Sequence, residues 1–259
     1  MSSPRPPEAS SLATVDVVIL AGGLGTRLRG AIGDMPKVLA PVGGETFLDH
    51  LLRWLAGFGA KRIVMCLGFR ADKVVEHLRQ HPAPGLDIVT SIEPKPMGTA
   101  GALRLAVPQL HSDPVMVING DTFIDADLPG FLAAHRRSGT AASILSTTVP
   151  SMARYGRLVV DPAGAIQRFA EKDPGDTGPG PINAGIYLFS RPWLETLARG
   201  QAESLERDVF AAAAPGGFRA IPAGDAAFID IGTPESLAEA PAILASAIGR
   251  SRNPARDVA

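Results

Sequence analysis

The segment Val15–Gly44, VDVVILAGGLGTRLRGAIGDMPKVLAPVGG, decides how the chain is read. Val15–Leu20 is an apolar, β-branched run that stops at glycines, the mark of a strand buried on both faces. The glycine loop that follows fits neither standard phosphate fingerprint. Leu28 stands where the dinucleotide motif needs its third glycine, and Ala31 stands where a Walker loop needs lysine. What remains is still suited to an anion. Gly22, Gly23 and Gly25 can turn backbone N–H groups toward a ligand without side-chain obstruction. Arg27 adds a forked donor, and Lys37, fixed by the preceding Pro36, adds a point charge. Together they suit a polyphosphate neutralised along its length. On spacing alone, a tight turn with two solvated basic residues remains open.

Outward from this segment, strands and helices alternate. TFLDHLLRWLAGFG reads as an amphipathic helix capped by Thr46 with Asp49 three residues on. RIVMCLG, LDIVTSIE and PVMVING read as strands, with ADKVVEHLRQH and GTAGALRLAV as helices between them. This rhythm predicts an α/β fold: a Rossmann-like, doubly wound, mostly parallel mixed sheet flanked by helices. After Leu128 the rhythm changes. GRLVVD and AIQRFAE, separated by PAG, read as a hairpin forming a small additional β-sheet over one edge of the main sheet. SLERDVFAAAA reads as a helix, and TPESLAEAPAILASAIG as a final helix capped by Thr233 with Pro234 at its first position. Asp173–Pro181 is a Gly/Pro-rich loop suited to act as a flap.

With 259 residues, 46% of them hydrophobic and 20% charged, the chain can bury a core without staples. A net charge of −1 argues against a protein built to grip nucleic acid. The single cysteine, Cys66, precludes an intrachain disulfide and reads as a buried strand residue. No apolar run is long enough for a membrane span, and the Pro/Ser-rich start lacks a signal-peptide core, so the expected location is cytoplasmic.

Six segments, in order and spanning roughly residues 15–240, resemble the signature motifs of the sugar-1-phosphate nucleotidyltransferases. They are LAGGLGTRLR with MPKVLAPVGG, EPKPMGTAGAL, INGDTFID, FAEK, INAGIY and FIDIGTPESL. The resemblance implies the nucleotide-diphospho-sugar transferase fold, with residues 1–14 and 250–259 as tails around one catalytic domain, 15–249. Its nucleotide-binding half would be 15–127 and its sugar-binding half 128–249. It implies transfer of a nucleotidyl group from an NTP to a sugar 1-phosphate, releasing pyrophosphate, with Mg²⁺ as cofactor. The nucleotide positions carried over are Leu20, Ala21, Gly22, Gly23, Gly25, Thr26, Arg27, Lys37, Glu93, Gly98, Thr99, Gly120 and Asp121. The sugar-phosphate positions are Tyr155, Gly156, Glu171, Lys172, Asn183, Ala184 and Gly185. Arg27, Lys37, Asp121 and Lys172 would carry catalysis, and Asp121 with Asp230 would hold the metal.

EPKPMGTAGAL is similar to the segment common among guanylyltransferases, which favours GTP. ARYGRL, GPGPINAGIY and SLERDVF are similar to bacterial enzymes that act on D-glycero-D-manno-heptose 1-phosphate. Mannose 1-phosphate, other NTP and sugar pairs, and a non-catalytic nucleotide-sugar sensor on the same fold stay as alternatives. No nucleic-acid or membrane partner is expected, and a homodimer is left open. Asp125 and Asp127 read as a loop residue and a helix cap rather than ligands. His77 and His81 have zinc-pair spacing, but Leu78 follows His77, so the pair reads as a solvated helix face. A nicotinamide dehydrogenase is disfavoured by the missing third glycine.

Overall fold

The computed structural model describes residues 11–170, 173–213 and 215–251. The first half runs β1 (Asp16–Ala21), a one-turn α1 (Arg29–Ile32), β2 (Pro41–Val42), β3 (Glu45–Thr46), α2 (Phe47–Gly57), β4 (Arg62–Leu67) and α3 (Ala71–Gln80). It continues with β5 (Asp87–Ile92), α4 (Gly98–Ala106), β6 (Val115–Asn119) and β7 (Thr122–Ile124). The second half comprises α5 (Leu128–Ser138), β8 (Ala142–Val149), β9 (Arg157–Val160), β10 (Ile166–Ala170), β11 (Gly180–Phe189) and α6 (Arg191–Arg199). A single π-helical turn (Leu205–Phe210), β12 (Arg219–Pro222), β13 (Phe228–Asp230) and α7 (Pro234–Ser251) complete it.

β1 sits in the middle of the main sheet, parallel to β4 on one side and β6 on the other, with β5 beyond β4. Every side chain of β1 from Val17 to Ile19 is inaccessible to solvent. That is what a strand covered on both faces requires. Val17 and Ile19 pack with α2, α5 and α7, and Val18 packs with α4 and α6 on the opposite face. The first of these cores is continuous across the boundary at residue 128: Phe47, Phe123, Ile186 and Leu244 belong to it together.

β11 turns the sheet antiparallel. Its C-terminal half pairs with β6 and β8, and its N-terminal half pairs with β8 and touches β9 at Ile182. The β9–β10 hairpin forms as predicted, but it extends the main sheet at one edge instead of building a separate one. The two small sheets are β2–β3 and β7–β13. The predicted helix over SLERDVFAAAA contracts to the π-helical turn, which Ser204 caps by accepting from Arg207 N and whose entry Asp208 holds by accepting from Glu203 N and Ser204 N.

α2 carries the full capping box: Thr46 accepts from Asp49 N, and the Asp49 carboxylate accepts from Thr46 N at 3.0 Å. His77 completes it from α3, with Nε2 2.8 Å from Asp49 Oδ1. The His77 ring is largely buried there and stacks on His81, which corrects the reading of His77 as part of a solvated face, while His81 is exposed as expected. Burial pushes the Asp49 carboxyl up, but the bonds from Thr46 and His77 outweigh it and hold the group below its ordinary value. Asp49→Ala should therefore cost about 1–2 kcal/mol in urea unfolding at neutral pH. A depressed folded-state pKa gives stability that is present above the unfolded value, about 3.9, and is lost as pH falls through the folded one. The gap between the two proteins should accordingly narrow in acid. A constant gap from neutral pH to the acid limit would contradict this.

Candidate active site

Three parallel strands end at one crevice, as the doubly wound architecture requires. β1 delivers Ala21 and the glycine turn, β6 delivers Asn119 and Gly120, and β5 delivers Glu93. They line a cavity of about 700 Å³. Every nucleotide position expected from the sequence borders it. Leu28 explains the failed dinucleotide fingerprint: its side chain is fully buried in the core and its N–H donates to Gly25 O at 3.0 Å. The residue at the third-glycine position anchors the turn and leaves Arg27 exposed at the rim.

The deepest feature is electrostatic. Lys37 Nζ lies 2.5 Å from Asp121 Oδ2 and 3.3 Å from Asp230 Oδ1. These residues come from three distant parts of the chain. The β7–β13 ladder joins two of them, pairing Asp230 with Thr122, and Ile231 N donates to Asp121 O at 3.0 Å. Gly232 leaves room beside them. A Cβ there would lie 2.7 Å from Asp230 Oδ1 and 3.2 Å from Lys37 Nζ. Two carboxylates thus converge on one positive charge in a cradle without a side chain. This donor set fits a hard divalent cation, which typically takes one or two carboxylates and completes its shell with phosphate and water. Asp127 caps α5 by accepting from Gly130 N, the role expected of it, and Asp125 N donates to Ala227 O at 2.9 Å.

On the opposite wall, Tyr155, Gly156, Asn183 and Gly185 reach the cavity. Their geometry revises the reasons given for them. A Cβ on Gly156 would strike the Phe169 ring, so this glycine serves packing. Gly185 has φ +74°, and a Cβ there would crowd Asn119 Nδ2 at 3.0 Å. Asn183 donates to Tyr187 Oη at 2.8 Å and accepts from Gly185 N at 2.9 Å, so much of its hydrogen-bonding capacity is used within the protein. Ala184 does not face the cavity; its side chain is wholly buried in the core. Glu171 and Lys172 follow β10 and lie outside the described residues. In the Asp173–Pro181 loop, Asp176 is tied to Arg157 at 2.9 Å.

Sequence reasoning missed Asn119, Thr122, Ser204, Glu206 and Arg207, all of which border the cavity. Asn119 carried a signal, a polar residue ending an otherwise apolar strand. Glu93 is half-buried. Burial raises its pKa, against the 2.7 Å bond it accepts from Met97 N. Cys66 is structural: burial pushes its thiol up to about 12. No helix among the described residues is long and apolar enough to cross a membrane.

Comparison with known proteins identifies the family. The family described as nucleotidyl transferase matches residues 16–247. The mannose-1-phosphate guanylyltransferase of Mycobacterium tuberculosis is 33% identical over 239 residues, covering 92% of this chain and 66% of that protein. The D-glycero-alpha-D-manno-heptose 1-phosphate guanylyltransferase of Aneurinibacillus thermoaerophilus is 29% identical, covering 87% and 96%. The crystal structure of HddC from Yersinia pseudotuberculosis complexed with GMP-PN superposes with a TM-score of 0.78 at 32% identity, covering 88% and 98%. The chain spans about two thirds or less of the length of the mannose-1-phosphate relatives it matches first.

Removing the shared ammonium leaves two carboxylates facing each other. Lys37→Met should lower stability by about 1–3 kcal/mol in unfolding experiments without divalent ions. An unchanged midpoint would show that the Lys37 contacts carry no net energy.

Proposed function

The chain belongs to the nucleotidyl transferase family, and from that premise we propose that it is a sugar-1-phosphate guanylyltransferase. It joins GTP and D-glycero-D-manno-heptose 1-phosphate, with mannose 1-phosphate as the alternative sugar. The observation that carries the reading is the convergence of Asp121, Asp230 and Lys37 beside the glycine turn in one cleft. A phosphate oxygen of the sugar 1-phosphate attacks the α-phosphorus of the triphosphate. The bond from that phosphorus to the bridging oxygen breaks, and pyrophosphate leaves. Two anions must meet, so the site's task is charge neutralisation and in-line positioning, with little covalent work by the protein.

The glycine turn offers backbone N–H groups to the triphosphate, Arg27 meets it at the rim and Lys37 meets it at depth. Asp121 and Asp230 are the residues that would hold Mg²⁺, which supplies neutralisation and alignment of phosphate oxygens when bound. Lys172 is assigned to the sugar phosphate on the family resemblance alone. Glu93 supports the base preference. Its Oε1 occupies the space a Cβ on Gly22 would need, so the carboxylate stands against the glycine turn. A carboxylate offers two acceptors, and guanine presents adjacent N1–H and N2–H donors on one edge. The sugar assignment is supported by ARYGRL, GPGPINAGIY and SLERDVF, which are similar to enzymes acting on that sugar phosphate, and by the heptose-type relative. We place the reaction in the cytoplasm, with no nucleic-acid or membrane partner.

A matrix of four NTPs against heptose, mannose and glucose 1-phosphates should release pyrophosphate fastest with GTP and a manno-configured sugar. Binding without release in every pairing would support a sensor instead. Asp121→Ala and Asp230→Ala should each cut kcat/KM by about a hundredfold or more with the fold intact. Glu93→Gln should lower kcat/KM for GTP by about tenfold and leave ATP unaffected. Near-normal rates in the aspartate variants would overturn the metal assignment, and an equal loss for both nucleotides would overturn base reading by Glu93.

A further inference from the structure

Glu206 borders the cavity, yet neither the glycine turn nor the two aspartates use it. It belongs to the π-helical turn, which docks on the start of α4. The docking is close. Gly98 adopts φ +70°, a Cβ there would collide with the Glu203 carbonyl, and Ala100 N donates to that carbonyl at 2.9 Å. A chain of hydroxyls then orients the carboxylate. Leu205 N donates to Thr99 Oγ1 at 2.8 Å, and Thr99 Oγ1 donates to Glu206 Oε2 at 3.0 Å. Ser204 Oγ donates to the same oxygen at 3.1 Å. Both bonds end on Oε2, and no cation pairs with this carboxylate among the described residues.

The neighbours place Glu206 on the sugar side. Tyr187 is completely buried, and its hydroxyl accepts from Asn183 Nδ2 at 2.8 Å. Burial raises the Tyr187 pKa well above its ordinary value, and the nearby Glu206 charge adds to the shift. Phe210, on the same π-helical turn as Glu206, sets its ring 5.2 Å from that of Tyr187, so the turn lies against the Asn183–Tyr187 strand, and Glu206 and Asn183 line the same cavity. Asn119 Oδ1, in the same floor, is buried without a hydrogen-bond partner among the described residues. A carboxylate repels phosphates. It is a good neighbour for an uncharged, hydroxyl-bearing part of a substrate, because an ionised carboxylate only accepts and each hydroxyl has a proton to donate.

We propose that Glu206, oriented by Thr99 and Ser204, determines sugar specificity by accepting hydrogen bonds from ring hydroxyls of the sugar 1-phosphate. This rests on the nucleotidyl-transfer reading above. It adds a selector contributed by a turn between α6 and β12, on the wall facing the sugar strand β11. Loss of a hydroxyl from the substrate and loss of charge from Glu206 should then be redundant, not additive.

The test is a cycle of wild type and Glu206→Gln against mannose 1-phosphate and its 2-, 3-, 4- and 6-deoxy analogues, with GTP and Mg²⁺. Wild type should lose about tenfold or more in kcat/KM on at least one deoxy analogue, the size of a hydrogen bond to a charged group. Glu206→Gln should lose a similar factor on mannose 1-phosphate and little more on that same analogue, with KM for GTP held within about twofold. Ser204→Ala, which removes the other orienting hydroxyl, should give a smaller loss with the same sugar dependence. It serves as the second variant if the first is unstable. Undiminished sensitivity to every deoxy analogue in both variants, or a loss confined to KM for GTP, would overturn the proposal while leaving the reaction intact. Absence of turnover by wild type with every NTP and sugar 1-phosphate would overturn the reaction itself and the selector with it.

Discussion

The arrangement of the site depends on one ammonium group held between two carboxylates. Lys37 meets Asp121 and Asp230, partners 84 and 193 residues further along the chain. Two carboxylates this close repel unless positive charge stands between them. The lysine supplies that charge from the segment that follows the glycine turn. The contact therefore fixes where the turn sits relative to the ends of β6 and β13. A site that must bring two phosphorylated substrates together needs both kinds of group in one place, cations for the phosphates and carboxylates for a metal ion.

The fold secures this contact through backbone pairing. β13 does not join the main sheet. It pairs antiparallel with the short β7, directly after Asp121, so the ladder carries Asp230 to the same point. Ile231 N and Asp121 O close the arrangement. α7 follows immediately and packs Leu244 against the core that also buries Phe47 and Ile186. The C-terminal helix thereby clamps the second carboxylate against the nucleotide half. Burial of this helix face and position of the carboxylate are one structural fact, because few residues separate them.

Much of this was legible locally. The glycines after β1, the aspartate after β6 and the capping box of α2 are short-range patterns, and each lies where its pattern predicts. The parts that were not legible depend on long-range pairing. Periodicity shows that β9 and β10 form a hairpin, but only the contact of Arg157 with Ile182 makes them an edge of the main sheet. Ala184 sits in a strand facing the site, yet alternation along β11 turns its side chain to the core. Asn183 looked available to a ligand because its partners, Tyr187 and Gly185, are set by a bulge and a positive φ. The turn carrying Glu206 was read as a helix because Ser204 caps it as it would cap one, and residue type alone does not set where it ends.

The central claim is that Asp121 and Asp230 share one divalent ion with a triphosphate lying against the glycine turn. Anomalous diffraction from crystals grown with Mn²⁺ and a non-hydrolysable GTP analogue addresses it directly. The account predicts one strong manganese peak in contact with both carboxylates and a phosphate oxygen, with Lys37 Nζ turned toward the phosphates. Manganese bound away from the two aspartates, or a triphosphate seated away from the glycine turn, would contradict it.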